Sequence, residues 1–442
     1  MKSEGRQAAD KFKRFQSPSG DPLWLQPLRS AAREEFADAG FPTLNDEDWR
    51  FTNVAPISKL PLKQVPETAS NPVEAGGLLK AGAFAGLTGP RLVFVNGIYE
   101  PGLSNADGLP AGVIFRTLGS ALTAGHPVLE QHLGRHGASG GKPFGALNLA
   151  YFRDGGFLYV PAGVKLPGPV QLVYLTVNAP TGATLQPRNL IVVEAGSEAT
   201  VLESYLGTGG SYFTNAATEL VAGDNSILEL VKLQDESPEA FHLASIGGQF
   251  GRSSRAHVHS FALGARISRN SIGTRLAGEG LECILNGLYV TKGEQVADHH
   301  MVVDHAQPHC ASHEYFNGIL DDKSKGVFHG RIHVHPVAQK TDAKQTNKNL
   351  LLSDSATIDT KPQLEIYADD VKCTHGATVG QLNEESIFYL RSRGIGTDTA
   401  RRMLIHAFAG EIIERVQCPA AREAVDKLVW DRIEANPHVR EG

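Results

Sequence analysis

The apolar and polar positions of this chain fall into three textures. From residue 1 to about 90 the spacing is helical. Leu23 to Ala39 mixes charged and apolar positions at helical intervals, and Asp46-Glu47-Asp48-Trp49-Arg50-Phe51 reads as an acidic start to a short helical turn. Pro56, Pro61, Pro66 and Pro72 mark an irregular connection after it. The acidic and aromatic cluster is read as a Trp49 anchor for a small helical domain, with a docking site as the other reading.

From Arg91 the period changes. Arg91-Leu92-Val93-Phe94-Val95 and Val170-Gln171-Leu172-Val173-Tyr174-Leu175 read as strands. Turn-like clusters then recur at Ala195–Ala199, Ala222–Ser226, Gly251–Ser254, Ala277–Gly280, Thr291–Glu294, Asp321–Ser324 and Ser353–Ala356. Most are spaced by roughly 27 to 32 residues and one by about half that. Each is followed by β-branched and apolar alternation, as in Ser226-Ile227-Leu228-Glu229-Leu230-Val231. A fixed period of this length signals a solenoid. Strand-rich repeats without helical stretches favour a parallel β-helix; a propeller needs blades of about 40 residues, and a β-sandwich is the remaining alternative.

After about Gly380 the texture is helical again. Asn383 to Arg393 starts with a capping residue and acids and ends in arginines before Gly394, an order that suits the helix dipole at both ends. A second helix is expected from Thr397 to Val416, with Met403, Leu404, Ala407, Phe408, Ile412 and Ile413 as its apolar stripe. A third follows Pro419, with Ala424, Leu428, Val429 and Ile433 on one face. These helices either close the end of a solenoid or bind a partner. The expected organisation is a helical N-terminal domain (1–90), a right-handed parallel β-helix core (91–372) and a helical C-terminal domain (373–442).

Composition narrows the class. A net charge of -6 carries no basic excess for nucleic acid and no polybasic tail for an anionic membrane. The first residues are charged, with no apolar core of a secretory signal, and no apolar run nears the roughly 20 residues that span a bilayer. The expected location is the cytosol, where Cys283, Cys310, Cys373 and Cys418 stay reduced. No pair has Cys-x-x-Cys spacing, and four cysteines in so long a chain make no disulfide framework.

Chemistry concentrates in two places. Cys373 and His375 sit at i and i+2, so on a strand they share a face. A thiolate beside an imidazole suits soft and borderline metals such as iron and zinc; the plain alternative is a buried cysteine next to a satisfied histidine. His257/His259 and His333/His335 repeat the spacing. Eight of the 17 histidines lie between His299 and His335, beside Cys283 and Cys310. In a β-helix residues one coil apart become neighbours, so ligands of one site need not be close in sequence. Surface or packing histidines are the alternative.

Several enzyme classes drop out. Gly137 to Lys142 resembles a Walker A loop, but the first glycine is misplaced and Pro143 follows Lys142. His-Glu-x-x-His, Gly-x-Ser-x-Gly and a Rossmann glycine fingerprint are missing. Scattered carboxylates leave a β-helical carbohydrate-active enzyme open, though that class is usually secreted. A solenoid that only binds proteins is the third reading.

The run AQKTDAKQTNKNLLLSDSATIDTKPQLEIYADDVKCTHGATVGQLNEESIFYLRSRGI, from Ala338 to Ile395, closely resembles the SufB/SufD family of the SUF iron–sulfur cluster assembly system. So do DHHMVVDHAQPHCASHEYFNGIL, from Asp298 to Leu320, and the early Asp48-Trp49-Arg50-Phe51-Thr52. Gly376 after His375 and the TVGQL that follows resemble the SufD branch; the SufB branch typically has an acidic residue there.

The resemblance implies the same three-part fold and a non-enzymatic scaffold role. It implies a complex with SufB, paired through the β-helix, and with the ATPase SufC, docked on the C-terminal helical domain. A homodimer is an option when SufB is absent. It places the family's functional histidine at His375 and a neighbouring cysteine at Cys373. These are the expected metal residues for a transient iron or iron–sulfur cluster shared with SufB and not held stably alone. His309 and Cys310 are read as structural or interface residues.

Overall fold

The computed structural model describes residues 10–18, 20–66, 72–137 and 142–435. Most of the Walker-like stretch (138–141) therefore lies outside the described residues. Among the described residues, Arg91–Val95 and Gly156–Val160 begin the two sheets of the solenoid, and fifteen further strands form its long run. They are β1 (Val170–Thr176), β2 (Arg188–Val193), β3 (Glu198–Gly207), β4 (Phe213–Ala222), β5 (Ile227–Asp235), β6 (Phe241–Phe250), β7 (Arg255–Ala262) and β8 (Ile267–Leu276). There follow β9 (Glu282–Thr291), β10 (Val296–His305), β11 (Ala311–Leu320), β12 (Lys325–Val334), β13 (Asp342–Leu351), β14 (Thr357–Ile366) and β15 (Lys372–Gly380). Odd strands stack in one parallel sheet and even strands in another, so each coil gives one strand to each. Registers such as Val296↔Lys325 and Ala311↔Asp342 show the one-coil offset.

The period seen in the sequence marks the corners. Asn225, Ser253 and Asp322 take the left-handed conformation, at φ of 58°, 54° and 53°, and Gly196 does so at 69°. The left-handed region disfavours a Cβ, so corners draw on Gly, Asn and Asp. Between corners, alternation sends one set of side chains into the lumen. Leu228, Leu230, Ile246, Val258, Ile272, Leu285, Met301, Phe316 and Phe328 belong to one buried cluster. Three inward rings, Phe94, Tyr174 and Tyr205, stack from coil to coil with centroids 5.0 and 4.9 Å apart.

The stretch between Arg91 and β1 is not all strand. Helices Leu118–Ala124, Pro127–His132 and Phe144–Tyr151 interrupt it. Their short apolar runs carry no clear period, so the sequence did not separate them from strands. With α1 (Leu25–Ala39), α2 (Phe144–Tyr151) packs Phe36, Phe144 and Leu147 on Phe213, Phe241 and Ile267, covering the outer side of the even sheet. Trp49 is buried in this layer, with the Arg269 guanidinium 3.9 Å over its ring.

Helices α3 (Glu384–Ser392), α4 (Thr397–Ile413) and α5 (Pro419–Glu434) do not plug the solenoid's end. Helices α4 and α5 fold back along the odd sheet, burying Ile405, Ile412, Val425 and Val429 against Val231, Phe261, Leu288 and Ile319. The Glu229 carboxylate accepts the Gln417 and Cys418 N–H groups at 2.6 and 3.1 Å, and Arg432 pairs with Asp235. The buried stripe of α4 is Ala400, Ile405, Ala409, Ile412 and Ile413. Met403 and Ala407, expected in it, are exposed, because the helix meets a flat sheet along one narrow line. The last coil, β14 and β15, ends both sheets.

Candidate functional site

Strand β15 carries Cys373 and His375 on the terminal rung of the odd sheet. Its neighbour β13 sets Ala343 beside Cys373 and Gln345 beside His375. Cys373 is half-buried against the lumen cluster of Ile332, Val334 and Ala343, whereas His375 is exposed. The two expected metal residues thus share a face, one rooted in apolar packing and the other open to solvent. Burial pushes the Cys373 thiol above its ordinary value and the Asp342 carboxylate adds to this; a backbone hydrogen bond at Ala343 opposes both. Any metal ion bound there would have to displace the Cys373 proton, and such binding would strengthen as pH rises.

Below His375 the lumen is polar. Gln345 Nε2 donates to Glu314 Oε2 at 2.6 Å, and the register runs Glu314, Gln345, His375 over three successive coils. Glu314 is fully buried, and burial pushes its carboxyl up to about 8, against the pull of the Gln345 hydrogen bond. It is therefore protonated near neutrality, which lets a carboxyl sit in the lumen without a cation. Gly330 faces this pair: a Cβ there would fall 1.9 Å from Gln345 Nε2. No signal inside a single segment marks Glu314 and Gln345; only the one-coil offset of 31 residues joins them.

Two family models match, the SufBD protein N-terminal region over residues 13–172 and the SUF system FeS cluster assembly SufBD core domain over residues 175–408. The chain belongs to the SufBD family. An iron–sulfur cluster assembly SufBD family protein of Synechocystis is 34% identical, with 88% of this chain and 86% of that protein covered. The iron–sulfur cluster assembly protein SufD of Escherichia coli is 33% identical over 90% and 91% of the two chains, and that of Bacillus subtilis 26% over 96% and 97%. Like these relatives, this SufBD protein is an iron–sulfur cluster assembly protein. Among its described residues no helix is long and apolar enough to cross a membrane.

The other thiols and histidines of the SufBD chain divide by position. Cys283 and Cys310 are buried; burial pushes Cys283 up to about 12, and Cys310 Sγ lies 3.2 Å from Gly278 O. Both behave as small core residues. Cys418 is the N-cap residue of α5. His299 and His305 point into the lumen, on Ser260 Oγ at 3.0 Å and Ser312 Oγ at 2.8 Å, and burial holds them down at about 3 and about 4. His309 sits at a corner with φ of 59°. His300 and His329 pack ring to ring, centroids 4.2 Å apart, near Asp48 on the outer side of the even sheet. His333 and His335 lie on the same outer side, beside Asp304.

Proposed function

We propose that this SufBD protein is the non-enzymatic scaffold subunit of a SufBCD complex, acting in the cytosol, in which nascent iron–sulfur clusters form at the junction with SufB. His375 supplies an imidazole ligand to iron or to the forming cluster, SufB supplies the main thiolate, and Cys373 is a second ligand. The observation that carries this reading is the exposed His375 on the last rung of an uncapped solenoid, next to a thiol. Both final strands present unpaired backbone N–H and C=O groups, the edge a second β-helix can join. A cluster held between two subunits at such a seam can leave again, and imidazole replaces thiolate in some iron–sulfur sites.

The three-part division into 1–90, 91–372 and 373–442 belongs to this proposal, with the last part as the docking segment for the ATPase SufC. Its support is apolar surface: Phe388 and Tyr389 on α3 are 71% and 56% exposed, and Met403 on α4 is 40% exposed. Large apolar side chains left in solvent on two successive helices suit an interaction site. The family match lends nothing to a carbohydrate-active reading.

The test is anaerobic reconstitution of the full complex with SufB and SufC, followed by iron and acid-labile sulfide analysis. His375→Ala is expected to abolish cluster formation while all three subunits still co-purify. Unchanged iron and sulfide in that variant complex would sink the ligand role.

A further inference from the structure

The His333/His335 pair is left over by this reading, and the fold gives it a carboxylate. Asp304 on β10 stands in register with His333 on β12, and His335 follows just past the end of β12. One ligand atom from each of the three residues can be chosen so that all lie within 4.8 Å of one another. His335 Nε2 is 2.7 Å from Asp304 Oδ1, and the two imidazole rings are 4.6 Å apart at 72°. On the next coil Glu365 pairs with His333, its Oε2 3.0 Å from His333 Nδ1. We propose that Asp304, His333 and His335 bind one divalent transition-metal ion on the outer side of the even sheet, with Glu365 orienting His333.

The donor set decides the class of ion. Two imidazoles and one carboxylate suit Zn²⁺, Fe²⁺ or Co²⁺, whereas Ca²⁺ and Mg²⁺ want oxygen alone. Glu365 on Nδ1 leaves Nε2 of His333 for the ion, the usual second layer around a metal-bound imidazole. Three protein donors leave coordination positions open to water, so the ion would exchange rather than be locked in. The three side chains are half-exposed, which gives a hydrated ion a way in.

A simpler account is a charge ladder running Arg275, Asp304, His333, Glu365 along the sheet. Its arginine contacts are long, however: Arg275 Nε to Asp304 and Arg331 Nη1 to Glu365 are both 3.9 Å. The neighbouring trio of Asp48, His300 and His329 fails as a cation site. Burial, then Arg269, His329, Arg331 and Lys361, hold His300 far below its ordinary range, an environment that rejects positive charge. The proposed site faces outward from the even sheet, whereas Cys373 and His375 lie on the last strand of the odd sheet, so the two are separable by mutation.

The test is titration of the metal-free full-length chain, with any affinity tag removed, using Zn²⁺ by calorimetry and Co²⁺ by visible absorbance. The wild type is expected to bind one equivalent more than His333→Ala/His335→Ala, and Cys373→Ser/His375→Ala is expected to keep that equivalent. Asp304→Asn and Glu365→Gln, mild changes on a folded surface, are expected to weaken it about tenfold or more. Equal stoichiometry in wild type and the His333/His335 variant, or unchanged affinity in Asp304→Asn, leaves a charge ladder only and overturns the site.

Discussion

Replacing Glu314 by Gln should remove one specific pH dependence from the stability of the fold. Glu314 is raised from an ordinary carboxyl value of 4.5 to about 8. Between those values the folded chain holds a proton that the unfolded chain has lost, so stability falls as pH rises. The slope is about 1.4 kcal/mol per pH unit. Other groups bound the useful window. His242, His299 and His305 are depressed to about 4, 3 and 4, so they cost stability as pH falls below their ordinary value of 6.5. Lys232 is depressed from 10.5 to about 8 and contributes increasing stability as pH rises above 8.

From pH 6.5 to 8, then, Glu314 should cost about 2 kcal/mol. Glu203, also raised by burial, is common to both proteins and cancels in the comparison. For 442 residues the unfolding entropy is about 0.9 kcal/mol per degree, so the wild type should lose about 2 °C in Tm across the window. Gln at 314 keeps an oxygen for the Gln345 hydrogen bond and has no proton to lose. Urea titrations at three pH values within the window, for wild type and Glu314→Gln, give both slopes. Parallel lines would refute the claim that this lumen carboxyl is neutral.

Three further outcomes follow from named contacts. Glu219→Gln leaves Arg188 buried against a weaker partner (the pair is at 2.6 Å) and disturbs the carboxylate that accepts the Gly134, Arg135 and His136 N–H groups; thermal unfolding should show a loss of roughly 3–5 kcal/mol. Glu229→Ala removes the acceptor for Gln417 and Cys418 at the head of α5; hydrogen exchange across Pro419–Glu434 should quicken, with about 1–3 kcal/mol lost, and unchanged protection there would mean that apolar packing alone holds the helix. Phe388→Asp adds charge to a side chain already in solvent, so Tm should stay put while co-purification of SufC with the chain fails. Retained SufC would move its docking surface elsewhere.

The solenoid was legible because its corners repeat: Gly196, Asn225, Ser253 and Gly280 all take left-handed backbone, at near-constant spacing. The C-terminal helices were legible from their caps, as with Asn383, whose side chain accepts the Ser386 N–H. Which face of α4 is buried was not, since helical spacing gives a stripe but not the surface it meets. Cys373 and His375 stood out as a candidate pair because both lie in one segment. Asp304 and the Glu314–Gln345 pair escaped because their partners are a full coil away. A window that reads local periodicity cannot register a contact created by stacking.

Unequal cover on the two flanks gives the solenoid a gradient of local stability. Early coils have a neighbour above and below and a helical layer on a side; β15 has one neighbour and solvent beyond. In a stack where each repeat leans on the next, the terminal repeat frays first and exchanges its amides fastest. His375 therefore rides on the most readily opened rung of the protein. In the complex proposed above, a second solenoid placed on that rung would make it internal, so capture of the partner and ordering of His375 would become one event, and each opening of the seam would loosen that rung again.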